Sequence, residues 1–398
     1  MDEHIGAEGF RFDYRPPAIR FGASATSELG AELDAHGVER ALVVAGTTTG
    51  TVPAVIEPVV DGADGRTGEV FAETTPEKRL DTALDGARRY DETDADGVVA
   101  LGGGSSLDVA KAVRALAASD DRAAAVRAFA ESGSLPVPDT LPPLVVVPTT
   151  LAGADLTHVA GLRTTPESGH VESAVDGGLS DPRLMPDAAV YDPGLVATTP
   201  EGVLAASAMN GFDKGVEALY ARAATPVTDG TAMRGLSLLR EALPTLRGDD
   251  PAYGDAVRGT ILVQYGISRP DASTLALVHA FGHGLTTHSS IQQGAAHAII
   301  APHALAYLFE RGPCRRDLLA DALGVDSATD PAAGVVEAVT AVRDGLDLPT
   351  RLRDVADIAA DDLADIAATT AADRLVENVP TGIDTSAAAL EDVVRAAW

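Results

Sequence analysis

The stretch Gly102-Gly-Gly-Ser-Ser-Leu-Asp-Val-Ala-Lys-Ala112 decides the fold. It follows the short apolar run DGVVAL (96–101), which reads as a strand, and it opens a helical pattern over Ser106–Ala118. A strand that turns through consecutive glycines into a helix puts bare backbone N–H groups at a positively polarised helix end, where a pyrophosphate is well held. Glycine also permits positive φ and close approach of a ligand. The same residues have a second reading, because Ser105 and Asp108 have the S-x-x-D spacing of a capping box that any helix start can use. The turn is not the G-x-G-x-x-G fingerprint, and it follows a third strand rather than a first.

Outward from this turn, ALVVA (41–45), GEVF (68–71) and LVVVP (144–148) read as further strands, and PEKRLDTALDGARRYDE (76–92) carries helical spacing between two of them. That alternation is the pattern of parallel α/β layers. After YDPGLVATTP (191–200) the texture changes, and alanine-rich helical stretches run from about Val203 to the end without a β-run. The expectation is an α/β dinucleotide-binding domain over 1–197 and a helical domain over 198–398. A chain of 398 residues suits two domains.

Composition narrows the partners. The formal charge is −29, and the acids are scattered (DGADGRTGEV, DETDAD, RGDDPAYGD, DIAADDLADIAA) rather than gathered in a tail. Such self-repulsion is screened beyond a Debye length of about 8 Å at physiological salt, so scattered acid reads as a halophilic adaptation to a salty cytoplasm. No basic stripe exists for nucleic acid. No run of eighteen apolar residues and no basic leader is present, so no membrane partner is expected and the expected location is cytoplasmic. Cys314 stands alone, which excludes an internal disulfide and a cysteine-held zinc. Lysine is nearly eliminated: only Lys78, Lys111 and Lys214 occur, and each survivor invites a reason.

The glycine segment fits GGGSxxDxxKA. Pro148-Thr-Thr150 follows about forty residues on, then Asp192-Pro-Gly-Leu195 with Thr199-Pro200, then a histidine-rich helical region. In this order, over nearly the whole chain, the sequence resembles the iron-containing alcohol dehydrogenase superfamily, which includes the maleylacetate reductases. The resemblance implies a dehydroquinate synthase-like α/β domain with a parallel sheet, followed by an all-α domain. It implies NAD or NADP as cofactor, chemistry in a cleft between the domains, and a homodimer. Cofactor contacts carry over to Gly103, Gly104, Ser105, Asp108, Lys111, Thr149 and Thr150. Lys111 has the alternative of a plain helix-surface residue.

Dehydrogenases of this family hold iron or zinc through one Asp and three His. The D-x-x-x-H-A-I-E-A segment corresponds to Asn210 through Ala218, which puts Asn210 at the Asp position and Lys214 at the first His position. The H-x-x-x-H pair is kept as His279 and His283, but the last His position is Gln293. Neutral amides are weak ligands and an ammonium repels a dication, so a catalytic metal is expected to be absent. A shifted set of Asp213, Glu217, His279 and His283 is the chemical alternative. The maleylacetate reductase branch is matched at Pro148–Gly153, Tyr191–Pro193, Asn210 and Val216–Ala221, and departed from at Lys214 and Gln293. The phosphate-substrate branch with dehydroquinate synthase and glycerol-1-phosphate dehydrogenase lacks these matches.

The expected function is hydride transfer between a nicotinamide and a small carbonyl or alcohol carbon. Lys214 replaces the Lewis acid, His279 or His283 is the proton donor, and Asn210 and Gln293 orient the substrate. His288, His297 and His303 read as structural. The alternatives are a metal-dependent alcohol dehydrogenase and a catalytically inactive dinucleotide-binding protein. After ALVVA, Gly46-Thr-Thr-Thr49 offers neither an acid nor an arginine to choose between NAD and NADP.

Overall fold

The computed structural model describes residues 9–326 and 328–398. The chain divides into two compact units, one spanning Arg15–Thr199, the other Pro200–Trp398 with the described N-terminal residues up to Tyr14.

The first unit is built on a six-stranded, all-parallel sheet. In chain order its strands are β1 (Ala18–Phe21), β2 (Ala41–Gly46), β3 (Thr67–Thr74), β4 (Gly97–Gly102), β5 (Leu144–Pro148) and, after an antiparallel pair β6 (Val159–Thr164) and β7 (Val175–Ser180), β8 (Ala188–Tyr191). They lie in the order β1-β8-β5-β4-β2-β3. Strands β4, β5 and β8 are buried along their whole length, and β2 along all but its last residue, as expected where helices cover both faces of a parallel sheet. The four β-branched runs read from the sequence are β2 to β5. β1 (AIRF) and β8 (AAVY) escape that reading because they are four residues long and partly alanine. They are strands through pairing, β8 against β5 and β1 against β8. The helix after the glycine turn spans Gly104–Ala117, starting two residues ahead of the expected Ser106.

In the second unit the described residues from Pro200 onward form helices, turns and loops with no strand. Several helices begin where their sequence dictates. Thr225 caps Pro226–Ala242 in a reciprocal capping box with Thr228, and Asp330 caps Pro331–Gly345, each with proline in the first turn. Glu201–Tyr220 and Gln293–Arg311 are buried nearly all round and form the centre. These two helices touch backbone to backbone. A Cβ added at Gly294 would lie 1.7 Å from the Ala206 carbonyl oxygen, so only glycine fits.

Gly294→Ala is therefore expected to cost about 1–3 kcal/mol of stability through overpacking. Gly202→Ala, where an added Cβ meets nothing within 4 Å, is the matched control and should leave the urea midpoint in place. Equal midpoints for the two variants would refute the close contact.

Candidate active site

Two groups of side chains, one in each unit, have the features of a functional site. In the α/β unit the chain passes from β2 to β3 on one side and returns to β4 on the other, so the strand order reverses between β2 and β4. Ligands of open α/β sheets bind outside the carboxyl ends of strands at such a switch point. β2 ends at Gly46 and runs into Thr47–Thr49, and β4 ends at Gly102. Gly102 has φ +132°, a conformation that favours glycine. Gly103 is the N-cap of the helix Gly104–Ala117 and offers no capping side chain, and the first turn contains no acid. That is informative in a chain of 59 acidic residues, where other helices are capped by Asp121, Asp192 and Asp330. A bare, positively polarised helix end of this kind is suited to an anion.

The capping-box reading of Ser105 and Asp108 is overturned. Ser105 lies inside the first turn, and the Asp108 carboxylate accepts from Lys78 Nζ at 2.7 Å and from the Gly161 N–H at 3.1 Å. Thr150 faces the turn, its Cγ2 lying 3.0 Å from where a Cβ on Gly103 would sit. Thr149 is held by backbone: its N–H donates to Gly102 O at 3.0 Å, and its carbonyl accepts from Thr199 Oγ1 at 2.6 Å. Ser106 and Thr74, not singled out in the sequence, share a hydrogen bond of 2.7 Å beside the turn. Lys111 is fully buried rather than on a helix surface. Its ammonium donates to Thr157 Oγ1 at 2.6 Å, Val159 O at 3.1 Å and Ala154 O at 3.2 Å. Asp108 and Lys111 thus tie the segment 154–161 to the helix that starts at the glycine turn.

In the helical unit the centre is Glu217, on the helix Glu201–Tyr220 and without exposed surface. Its Oε1 accepts from the Val278 and His279 N–H groups at 2.6 and 3.1 Å, and its Oε2 from Ala276 N–H at 2.9 Å. These are the orphan donors of the helix Leu277–His288. Oε2 also faces His279 Nδ1 at 2.6 Å. Burial opposes ionisation of Glu217, but His279 and the backbone donors outweigh it and hold the carboxyl below its usual range. Burial pushes His279 down to about 4, and the neighbouring Lys214 charge adds to the depression. The imidazole is therefore neutral at pH 7 with its proton on Nδ1. Nε2 lies 3.1 Å from Asn210 Oδ1, and with the proton on Nδ1 this contact is a hydrogen bond only if the amide presents its NH2 group there.

His297, read from the sequence as structural, packs edge-on against His279 with ring centroids 4.4 Å apart. Burial pushes it down to about 3. Its Nδ1 is 3.4 Å from Asp213 Oδ2, and burial raises the Asp213 carboxyl well above its usual range. Gln293 stands beside this pair: a Cβ on Gly282 would lie 2.4 Å from His297 Nε2 and 3.3 Å from Gln293 Cγ. Lys214 Nζ donates to Gln264 Oε1 at 3.1 Å. His283 is half-exposed and turned to Asp373, Nδ1 to Oδ2 at 2.7 Å. His288 bonds Thr369 at 2.8 Å.

Asn210, Lys214, His279 and Gln293, expected from the sequence at metal-ligand positions, present an amide, an ammonium, an imidazole and an amide, which do not suit a divalent transition metal. The shifted set does not converge either. Glu217 serves the helix end and His279, Asp213 faces His297, and His283 faces Asp373.

Comparison with known proteins gives the chain its family. Residues 16–193 match the iron-containing alcohol dehydrogenase family, and residues 204–397 match the C-terminal part of the same family. A maleylacetate reductase of Pseudomonas aeruginosa is 30% identical over 334 residues, covering 82% of this chain and 83% of the relative. An NAD-dependent methanol dehydrogenase of Bacillus methanolicus is 28% identical, covering 82% and 84%. The crystal structure of maleylacetate reductase from Agrobacterium tumefaciens shares the fold, with a TM-score of 0.77 and 24% identity over 98% of both chains. The protein belongs to the iron-containing alcohol dehydrogenase family and is an NAD(P)-dependent oxidoreductase.

Proposed function

We propose that this oxidoreductase exchanges hydride between NAD(P) and a small carbonyl or alcohol carbon without a catalytic metal, with the Lys214 ammonium in the metal's place. The observation that carries the reading is the donor set itself: at the corresponding positions the chain has Asn210, Lys214 and Gln293, and the lysine is held by an amide oxygen. An oriented cation stabilises the negative charge that builds on the substrate oxygen. An acidic substrate suits the same ammonium, and the likeness to maleylacetate reductases supports that class.

The nicotinamide, when bound, supplies or accepts the hydride. Gly103, Gly104 and Ser105 hold the pyrophosphate on the helix end, with Thr149 and Thr150 beside them toward the nicotinamide half, while Asp108 and Lys111 brace the segment that closes on that helix. His279 is built as a neutral acceptor, so its part is to fix Asn210, which with Gln293 orients the substrate. Proton donation falls to His283, whose Nδ1 is anchored by Asp373 and whose Nε2 is left to exchange protons. The scattered acidic surface supports work in a salty aqueous compartment, with two copies associating as the family likeness implies.

Lys214→Ala should lower kcat/KM at least about a hundredfold, the scale of losing one oxyanion-stabilising donor. Wild-type rates with NAD(P)H and the carbonyl compound turned over fastest would sink the lysine's role. Dialysis against a chelator should leave activity unchanged and elemental analysis should find substoichiometric metal, whereas activity lost to the chelator and restored by iron or zinc reinstates the metal.

Gly104→Asp places a carboxylate at the helix end with only Ala154 Cβ nearby, 3.4 Å from the new Cβ. NADH affinity by fluorescence titration should fall about tenfold or more, with the thermal midpoint without cofactor preserved. Undiminished affinity would place the pyrophosphate elsewhere.

A further inference from the structure

The first turn of a helix leaves N–H groups without intrahelical acceptors, and a side-chain oxygen three residues past the N-cap can reach back to one of them. This chain shows that reach with a hydroxyl. At the start of Pro226–Ala242 the N-cap is Thr225, and the Thr228 hydroxyl accepts from the Thr225 N–H at 2.7 Å. At the start of Gly104–Ala117 the N-cap is Gly103, and the residue at the same offset is Ser106. Serine carries its oxygen on Cβ as threonine does, so a back-bond to the Gly103 N–H is open to it.

Ser106 does not make that bond. Its Oγ lies 2.7 Å from the hydroxyl of Thr74, the last residue of β3. The two residues are 6% and 4% exposed, so each hydroxyl depends on a protein partner. Two glycines mark where the Ser106 oxygen sits. A Cβ added at Gly102, where β4 ends, would lie 3.1 Å from it, and one added at Gly46, where β2 ends, 3.4 Å from it. The hydroxyl is therefore stowed among the carboxyl ends of β2, β3 and β4.

These two arrangements compete for one oxygen. A buried hydroxyl that loses its partner is costly, which drives it to another donor within reach. At an ordinary helix start the back-bond is a gain. At an anion site it is a loss, because it sets an acceptor oxygen on an N–H that a phosphate would use.

We infer that Thr74 is a positioning residue for the cofactor: it holds the Ser106 hydroxyl off the Gly103 N–H and leaves that donor to the pyrophosphate of NAD(P). The inference rests on the reading of the glycine turn given above, and the two are tested separately.

Glycine labelled with carbon-13 at the carbonyl and with nitrogen-15 marks Gly-Gly bonds alone in a carbonyl-filtered amide spectrum. The full-length sequence has three such bonds, so the amides of Gly103, Gly104 and Gly178 are seen by themselves. Gly104→Asp removes the Gly104 signal and Gly103→Ala removes those of both Gly103 and Gly104, which assigns all three. Without cofactor, Thr74→Val should move the Gly103 amide proton downfield as Ser106 takes up the back-bond, while Gly178 stays. Thr74→Ser keeps a hydroxyl and should keep the wild-type position. Thr74→Val combined with Ser106→Ala has no hydroxyl to turn and should bring the signal back.

NADH should bind roughly three- to tenfold more weakly to Thr74→Val, the scale of one net hydrogen bond, and the added Ser106→Ala should restore the affinity. Simple damage to a buried contact would persist or grow in the double variant. A Gly103 signal unmoved in Thr74→Val overturns the inference, and so does NADH binding undiminished in Thr74→Val or unrestored by Ser106→Ala. Thr74→Ala carries the same comparison should Thr74→Val fail to fold. Where Gly104→Asp also binds NADH undiminished, the pyrophosphate reading is what fails, and the cofactor-free spectra still decide whether Thr74 controls the Ser106 hydroxyl.

Discussion

Glu217 sits in the middle of the helical unit with no exposed surface, where an isolated carboxylate would take up a proton. It stays ionised because three backbone N–H groups at the start of Leu277–His288, the His279 ring and the Tyr220 hydroxyl all point at it. The helix that begins at Leu277 has no capping side chain of its own, and its cap comes from another helix. One buried carboxylate thus does three jobs. It satisfies a helix end, locks Glu201–Tyr220 to Leu277–His288, and sets the tautomer of His279. Asn210 Oδ1 lies 3.1 Å from Nε2 of that ring, and His297 packs on the ring so held.

The charges around this point are constrained together. Glu217 is ionised, Asp213 is driven toward its protonated form, and two imidazoles are kept neutral by burial with a contribution from the Lys214 cation. The Lys214 charge adds to the depression of both imidazoles. Under the proposed function that charge has a direct use. A site that lacks a dication needs a cation as the substrate oxygen becomes negative. His283 is half-exposed, with its Nδ1 2.7 Å from Asp373 Oδ2.

Much of the architecture was legible in the residues. ALVVA, GEVF, DGVVAL and LVVVP are apolar runs that suit strands buried on both faces, and three of them lie on central strands. The glycine turn was legible because positive φ and a bare helix end require that residue type. β1 and β8 were not, since four-residue segments containing alanine carry almost no local preference and become strands through their neighbours. The capping-box spacing of Ser105 and Asp108 misled for a related reason. Local spacing does not reveal that Lys78, thirty residues upstream, offers Asp108 a stronger partner.

By itself the sequence determined the strands β2 to β5 with their alternation with helices, the helical character of the second half, the place of the glycine turn, and the residue types Asn210, Lys214, His279 and Gln293. These depend on local conformation and on register along one helix. Only the tertiary structure decided that His297 joins His279, that Lys111 braces a buried segment, that Glu217 caps a distant helix and that Gln264 faces Lys214. Periodicity tells which face of a helix is buried but not which side chain it will meet there. That meeting is fixed by packing between segments fifty or more residues apart, as with Lys214 and Gln264 or Glu217 and His279.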